Sequence, residues 1–314
     1  MLMRLLIFFS CVLTFSTSLN PAYAARKPVP LPIQTSLVVD YKSGRILHDI
    51  NSTTKIYPAS LTKLMTLYLL FEALESGRLS INQKLYVSKN AEKMLPCKLG
   101  LKAKESITVK EAILALIVRS ANDVAMVVAE NIKGSEEKFA QLMTIRAHQL
   151  GMKDTYFKNS SGWHHPCQKT TAQDLARLSM AIKRDFPKYY SYFSKNHFVF
   201  KGNIVRGHNK VNETYEGVEG LKTGYTIPSG YNLITAATRN KKTLVAIVTG
   251  RRSAGSRDME MVELLNTHFG QSSNDNITYN KLTTVPSKTY RKKTKSTKVA
   301  TNPKVKNRKK LVRS

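Results

Sequence analysis

Apolar and polar positions change period three times along this chain. From Thr35 to Asn51, "TSLVVDYKSGRILHDIN" alternates two apolar runs about Lys42-Ser43-Gly44, the pattern of a β-hairpin. Leu61, Leu64, Met65, Tyr68, Leu69 and Glu72 then predict one helix ending at Gly77. It is apolar nearly all round, so it is expected to be buried rather than amphipathic. Thr108 and Glu111 form a capping-box pattern ahead of "AILALIV". Ser135 opens another helix through Leu150, stopped by Gly151, and Thr171 with Asp174 opens a further one that ends before Pro187. After Gly217 the period returns to two. "YNLITAATRNKKTLVAIVTG" reads as two strands joined at Asn240-Lys241, and "SRDMEMVELLNTHF" as a closing helix. Strands at both ends with helices between them imply an α+β fold, an antiparallel sheet formed from the N- and C-terminal strands with flanking helices and an inserted helical region. Clefts commonly form where such regions meet.

The first 24 of the 314 residues change the compartment. They carry a basic Arg4, an apolar run from Leu5 to Phe15 and a small-x-small site at Ala22 and Ala24, the pattern of an export signal. The chain is therefore expected to be exported, periplasmic or extracytoplasmic. Cys11 leaves with the signal, and Cys97 and Cys167 remain where a disulfide can form. Their separation in sequence leaves the pairing open. "HHPC", His164 to Cys167, lacks the paired spacing of a zinc site.

Charge is uneven. The net value is +29, of which residues 271–314 supply +12 (13 Lys and Arg against Asp275) and Arg4 supplies +1, leaving +16 for residues 25–270. A tail so charged and so poor in apolar residues is expected to stay disordered, because it buries too little to offset ordering entropy. Outside the cell such a tail meets no nucleic acid, so anionic lipid or wall polymer is the expected electrostatic partner. The organisation read from the chain is thus residues 1–24 as signal, 25–270 as the folded domain and 271–314 as a basic tail.

Three separated stretches carry the candidate chemistry: "SLTK" (Ser60 to Lys63), "SAN" (Ser120 to Asn122) and "KTG" (Lys222 to Gly224). Residues i and i+3 of a helix share a face, so Lys63 can reach the Ser60 hydroxyl. A serine hydroxyl is a weak nucleophile without an adjacent base. Lysine can be that base if burial or a second cation lowers its pKa, and Lys222 is a candidate for that cation. "SAN" between two helical runs places Ser120 and Asn122 on a connecting loop. On a strand, Lys222 and Gly224 point one way and Thr223 the other, with glycine leaving room for a substrate backbone. An extended peptide could add to that strand edge. Each motif occurs alone by chance, but the three in this order and context do not.

With "YPASLTKLMT", "RSANDVAMVVAE" and "EGLKTGYTIPSGYNLITAATR", the sequence from about Thr35 to Phe269 resembles the low-molecular-mass penicillin-binding proteins, the serine-type D-alanyl-D-alanine carboxypeptidases. The resemblance implies a β-lactamase/transpeptidase-like, penicilloyl-serine-transferase fold. It also implies removal of the terminal D-alanine from peptidoglycan stem pentapeptides, and acylation by β-lactams, without a cofactor or metal. Carried over, Ser60 is the acylated nucleophile and Lys63 its general base. Ser120 assists proton transfer, Asn122 holds the substrate amide, and Lys222, Thr223 and Gly224 bind substrate. The backbone N–H groups of Ser60 and Tyr225 form the oxyanion hole. Arg257 falls where the family places an arginine near the substrate carboxylate, with Arg251 and Arg252 competing for that role.

Two features depart from the family pattern. Members often continue into a β-rich second domain and an amphipathic membrane helix, whereas here the expected domain ends near residue 270 and a basic tail follows. Tyr225 stands where histidine is frequent. The same constellation could serve a D,D-endopeptidase. A β-lactamase would need a further base, commonly a glutamate, and "FKNSSGWHHPCQKTTAQDL" offers only Asp174 as an acid, read as part of a helix cap. A wall-binding protein that keeps the pocket without catalysis is the third alternative.

Overall fold

The computed structural model describes residues 31–270. The export signal assigned to residues 1–24 and the basic tail assigned to 271–314 lie outside the described residues. Asp40 accepts from Ser43 N–H at 2.7 Å and Gly44 adopts φ +69°, so the first hairpin turns where the sequence placed it. It joins β1 (Thr35–Asp40) to β2 (Ile46–Ile50). A 3₁₀ turn, Ala59–Thr62, then leads into α1 (Lys63–Glu75). Short elements follow: β3 (Lys84–Tyr86), α2 (Lys89–Glu92), β4 (Ser106–Thr108) and α3 (Val109–Leu114). The capping box at Thr108 and Glu111 opens α3, as the pattern predicts. A π turn, Ala115–Arg119, connects it to α4 (Asn122–Lys133), and α5 (Glu136–Gln149) and α6 (Ala172–Asp185) start at Ser135 and Thr171 caps. Next come α7 (Pro187–Tyr190), the ribbon of β5 (His197–Phe200) and β6 (Asn203–Arg206), and α8 (Lys210–Thr214). The chain closes through β7 (Val218–Thr226), β8 (Gly230–Arg239), β9 (Lys242–Arg251) and α9 (Ala254–Gly270).

The sheet order is β2-β1-β9-β8-β7, antiparallel throughout, so strands from both ends of the described chain meet in its middle. Leu244 to Val248 is a continuous apolar run because β9 is covered on both faces. Val245 and Ile247 join the core shared with the helices, while Leu244, Ala246 and Val248 face Met261, Leu264 and Leu265 of α9. Among the described residues no helix is long and apolar enough to cross a membrane.

Two expectations need correction. Leu61 does not belong to the long helix: a tighter 3₁₀ turn carries Ser60 and Leu61, and the helix begins at Lys63. The apolar pattern is blind to this difference, because both windings repeat a face after about three residues. The β5–β6 ribbon within the inserted region was not expected, although "HFVFKGNIVR" has strand-forming residues about a Lys-Gly turn; Lys201 and Gly202 take φ +48° and +77°.

Candidate active site

Every residue of α1 from Lys63 to Ala73 is buried. Its leucines and Phe71 each contribute about 1.5–3 kcal/mol by leaving water, and that burial carries Lys63 inward with them. The side chain of Lys63 is 0 % exposed. Its Nζ lies 3.0 Å from Ser60 Oγ and 2.8 Å from Asn122 Oδ1, and it also donates to the Ser161 carbonyl. Burial holds its pKa well below the ordinary lysine value, and the nearby Lys222 lowers it further; Cys97, Asp123 and Glu136 act in the opposite direction. The 3₁₀ winding matters here, since side chains at i and i+3 eclipse in such a turn and Ser60 therefore stands over Lys63.

Ser60 is half-buried at the open end of this arrangement. The residue before it, Ala59, adopts φ +47°, a conformation few side chains tolerate. Gly162 packs on that same point, where a Cβ would lie 1.8 Å from the Ala59 carbonyl oxygen. The loop that supplies the Ser161 carbonyl is thus fitted to the turn that carries Ser60, and Glu136 anchors it by accepting from both N–H and Oγ of Ser160.

Ser120 caps the π turn in the left-handed region, φ +60°, and is 7 % exposed. Asn122 is not on the connecting loop, as the sequence suggested, but is the first residue of α4. Its polar groups are largely committed. Oδ1 accepts from Lys63, Nδ2 donates to Leu95 O at 3.0 Å, and its backbone N–H donates to Cys97 O at 2.7 Å.

The opposite wall is β7, an edge strand of the sheet. Lys222 is 2 % exposed, and its Nζ donates to its neighbour's carbonyl, Thr223 O, at 2.9 Å. Burial lowers its pKa to about 7; Cys97 resists this and Arg257 adds to it. Gly224 packs on the turn that carries Ser60: a Cβ there would sit 3.2 Å from Ser60 N and 3.3 Å from Leu61 N. Thr223 lines a cavity of about 10 Å³ with Leu221, His208 and Asn209, enough for about one water. Tyr225 is half exposed and packs on Tyr231 with the rings tilted by 34°, centroids 4.3 Å apart.

Of the competing arginines, Arg251 is committed to Glu260 in a two-pronged pair and Arg252 is exposed. Arg257, 4 % exposed and held by Asp258 Oδ1, is the one whose charge reaches Lys222. Asp174, the acid in the 157–175 segment, is held by Asp154 N–H, Thr155 Oγ and Arg177. Cys97 and Cys167 are free, exposed thiols. Sequence reasoning missed the backbone carbonyls of Ser161, Leu95 and Cys97, which leave no side-chain signature, and His208, whose pKa is lowered by burial and by Arg119 and Lys222.

The chain is 31% identical over 244 residues to D-alanyl-D-alanine carboxypeptidase DacF of Bacillus subtilis, covering 76% of this chain and 62% of that protein, so it spans less than two thirds of that relative's length. Penicillin-binding protein 5 of Haemophilus influenzae superposes with a TM-score of 0.73 at 32% identity, over 78% of this chain and 72% of that one. Penicillin-binding protein D2 of Listeria monocytogenes, in an ampicillin-bound form, gives a TM-score of 0.69 at 28% identity, over 75% of this chain and 96% of that one. The shared architecture is the α+β, β-lactamase/transpeptidase-like fold. A family model described as D-alanyl-D-alanine carboxypeptidase, Peptidase_S11, matches residues 23–253, and the chain belongs to that family.

Proposed function

We propose that this protein is a serine-type D-alanyl-D-alanine carboxypeptidase that removes the terminal D-alanine from peptidoglycan stem pentapeptides through an acyl-enzyme on Ser60. Penicillins would acylate the same serine, as ampicillin binding by the Listeria relative supports. The observation that carries the reading is the fully buried Lys63 amine, depressed in pKa, 3.0 Å from Ser60 Oγ. A neutral amine has two N–H groups and one lone pair. Asn122 Oδ1 and the Ser161 carbonyl accept the two N–H groups, and the lone pair is left for the Ser60 proton.

As Oγ attacks the scissile carbonyl, the developing oxyanion is met by the Ser60 and Tyr225 backbone N–H groups. Ser120 passes the proton to the departing D-alanine amine, and the second N–H of Asn122 Nδ2 serves the substrate amide. Thr223 binds the terminal carboxylate, with Lys222 and Arg257 supplying positive potential. Water then hydrolyses the ester by the reverse proton path. Such a substrate lies outside the cytoplasmic membrane, so the reading carries with it the export assigned to residues 1–24.

Intact mass after incubation with benzylpenicillin, on wild type and Ser60→Ala, tests the nucleophile, and D-alanine release from a pentapeptide tests the reaction. One adduct on wild type alone, with D-alanine released, is the expected result. An adduct on both proteins, or on neither, would remove Ser60 from the role.

A further inference from the structure

Asp123 follows the Ser-Ala-Asn motif, and the chemistry above does not use it. Its carboxylate is fully buried. Oδ1 accepts from Leu99 N–H at 2.9 Å and from Val124 N–H at 2.9 Å, and Oδ2 accepts from Gly100 N–H at 2.8 Å and Leu101 N–H at 3.1 Å. Three of these donors are consecutive residues of one loop. The same loop returns two carbonyls to the site: Leu95 O accepts from Asn122 Nδ2, and Cys97 O accepts from Asn122 N–H. Asn122 Oδ1 in turn accepts from Lys63.

We infer that Asp123 is a positioning residue: its carboxylate fixes the 95–101 loop, whose carbonyls hold Asn122 at the angle that orients the Lys63 amine toward Ser60. The inference rests on the reading of Ser60 as nucleophile and Lys63 as base. Asp123 also sits in the first turn of α4, where an acid stabilises the helix N-terminus. A purely structural role of that kind would affect folding and leave the reaction of each folded molecule alone.

Lys63 is faced by Lys222 from β7, Cys97 from the loop, Asp123 from α4 and Glu136 from α5. Removing the Asp123 charge therefore favours the neutral amine and moves the acid limb of acylation to lower pH. If Asp123 positions Asn122, the plateau falls as well. The two effects separate geometry from simple electrostatics.

The experiment is acylation by a fluorescent penicillin across pH, with rates expressed per active site from the end-point titration. Asp123→Asn should lower the plateau roughly 10- to 100-fold, as expected when a catalytic group is displaced by about 1 Å, and should shift the acid limb downward. A shifted limb with an unchanged plateau would make Asp123 only an electrostatic neighbour and overturn the positioning role. So would a profile identical to wild type.

Gly100→Ala provides the second variant. Gly100 adopts φ +91° with nothing within 4 Å of an added Cβ, so alanine strains the loop backbone without removing a charge. Its plateau should fall roughly 3- to 10-fold, with the acid limb where wild type has it. If Asp123→Asn does not fold, an unchanged Gly100→Ala plateau overturns the inference by itself. A wild type that takes no penicillin would instead bring down the underlying reading of Ser60, and this inference with it.

Discussion

On β7 the groups Lys222, Thr223 and Gly224 are consecutive, and the ladder to β8 sets their directions, with Lys222 opposite Ile234 and Gly224 opposite Asn232. Across the cleft, Ser60, Lys63, Ser120 and Asn122 come from a 3₁₀ turn, a helix start, a left-handed cap and a second helix start. No common ladder joins them. Lys63 and Asn122 are held by hydrogen bonds from their side chains to loop carbonyls, and two buried or half-buried acids, Asp123 and Glu136, tie those loops down. A strand wall inherits its geometry from the sheet, whereas a wall assembled from helix ends needs dedicated anchors for each loop.

The sharpest way to break this contrast is Lys63→Arg, which keeps a long nitrogen-bearing side chain on the assembled wall but is permanently charged and cannot yield a neutral base. Acylation by penicillin should fall by roughly 10³-fold, within the range for loss of a general base. A rate within tenfold of wild type would remove Lys63 as the base.

The two glycines that touch the turn carrying Ser60 compare the walls directly. Gly162→Ala drives a Cβ to 1.8 Å from Ala59 O at φ +85°, while Gly224→Ala reaches only 3.2 Å from Ser60 N. We expect the first to cost about 3 kcal/mol and the second about 1 kcal/mol, both read from urea midpoints. Acylation should drop more for Gly162→Ala. The opposite order would mean that the strand is the stiffer support.

Lys222→Met should be the one change in the stabilising direction. In the folded protein Lys222 has a pKa near 7, against 10.5 for an ordinary lysine, so the unfolded chain binds more protons between those values. Wild-type stability therefore rises with pH across that window and is lowest below about pH 7. Replacing a buried cation by an apolar side chain should add about 2 kcal/mol at about pH 6 and much less near pH 10, while D-alanine release collapses. An equal gain at both pH values would show that the charge of Lys222 costs the fold nothing.

Much of the strand wall was legible from residue order, because a period of two assigns each side chain to a face. The antiparallel sheet, the hairpin at Lys42 to Gly44 and the caps at Thr108, Ser135 and Thr171 were legible for similar local reasons. The helical wall was legible only in its reactive groups. Nothing in "PASLTK" announces a left-handed Ala59 or a 3₁₀ winding, and the glycines that pack on that turn, Gly162 and Gly224, come from distant segments. Backbone carbonyls such as Ser161 O are invisible to any reading of residue types. Asn122 stands at a helix start instead of on a loop because left-handed Ser120 and extended Ala121 complete the connection before it.

The sheet closes late. Thr35 and Thr249 share a hydrogen bond across 214 residues, and β1 has no partner on its inner side until β9 arrives. Contacts so distant in sequence slow folding and leave strand edges uncovered in the meantime. The nascent polypeptide therefore cannot complete its scaffold during most of its synthesis. A chain cut anywhere before Lys242 lacks the central strand, and with it the surface on which either wall of the cleft is mounted.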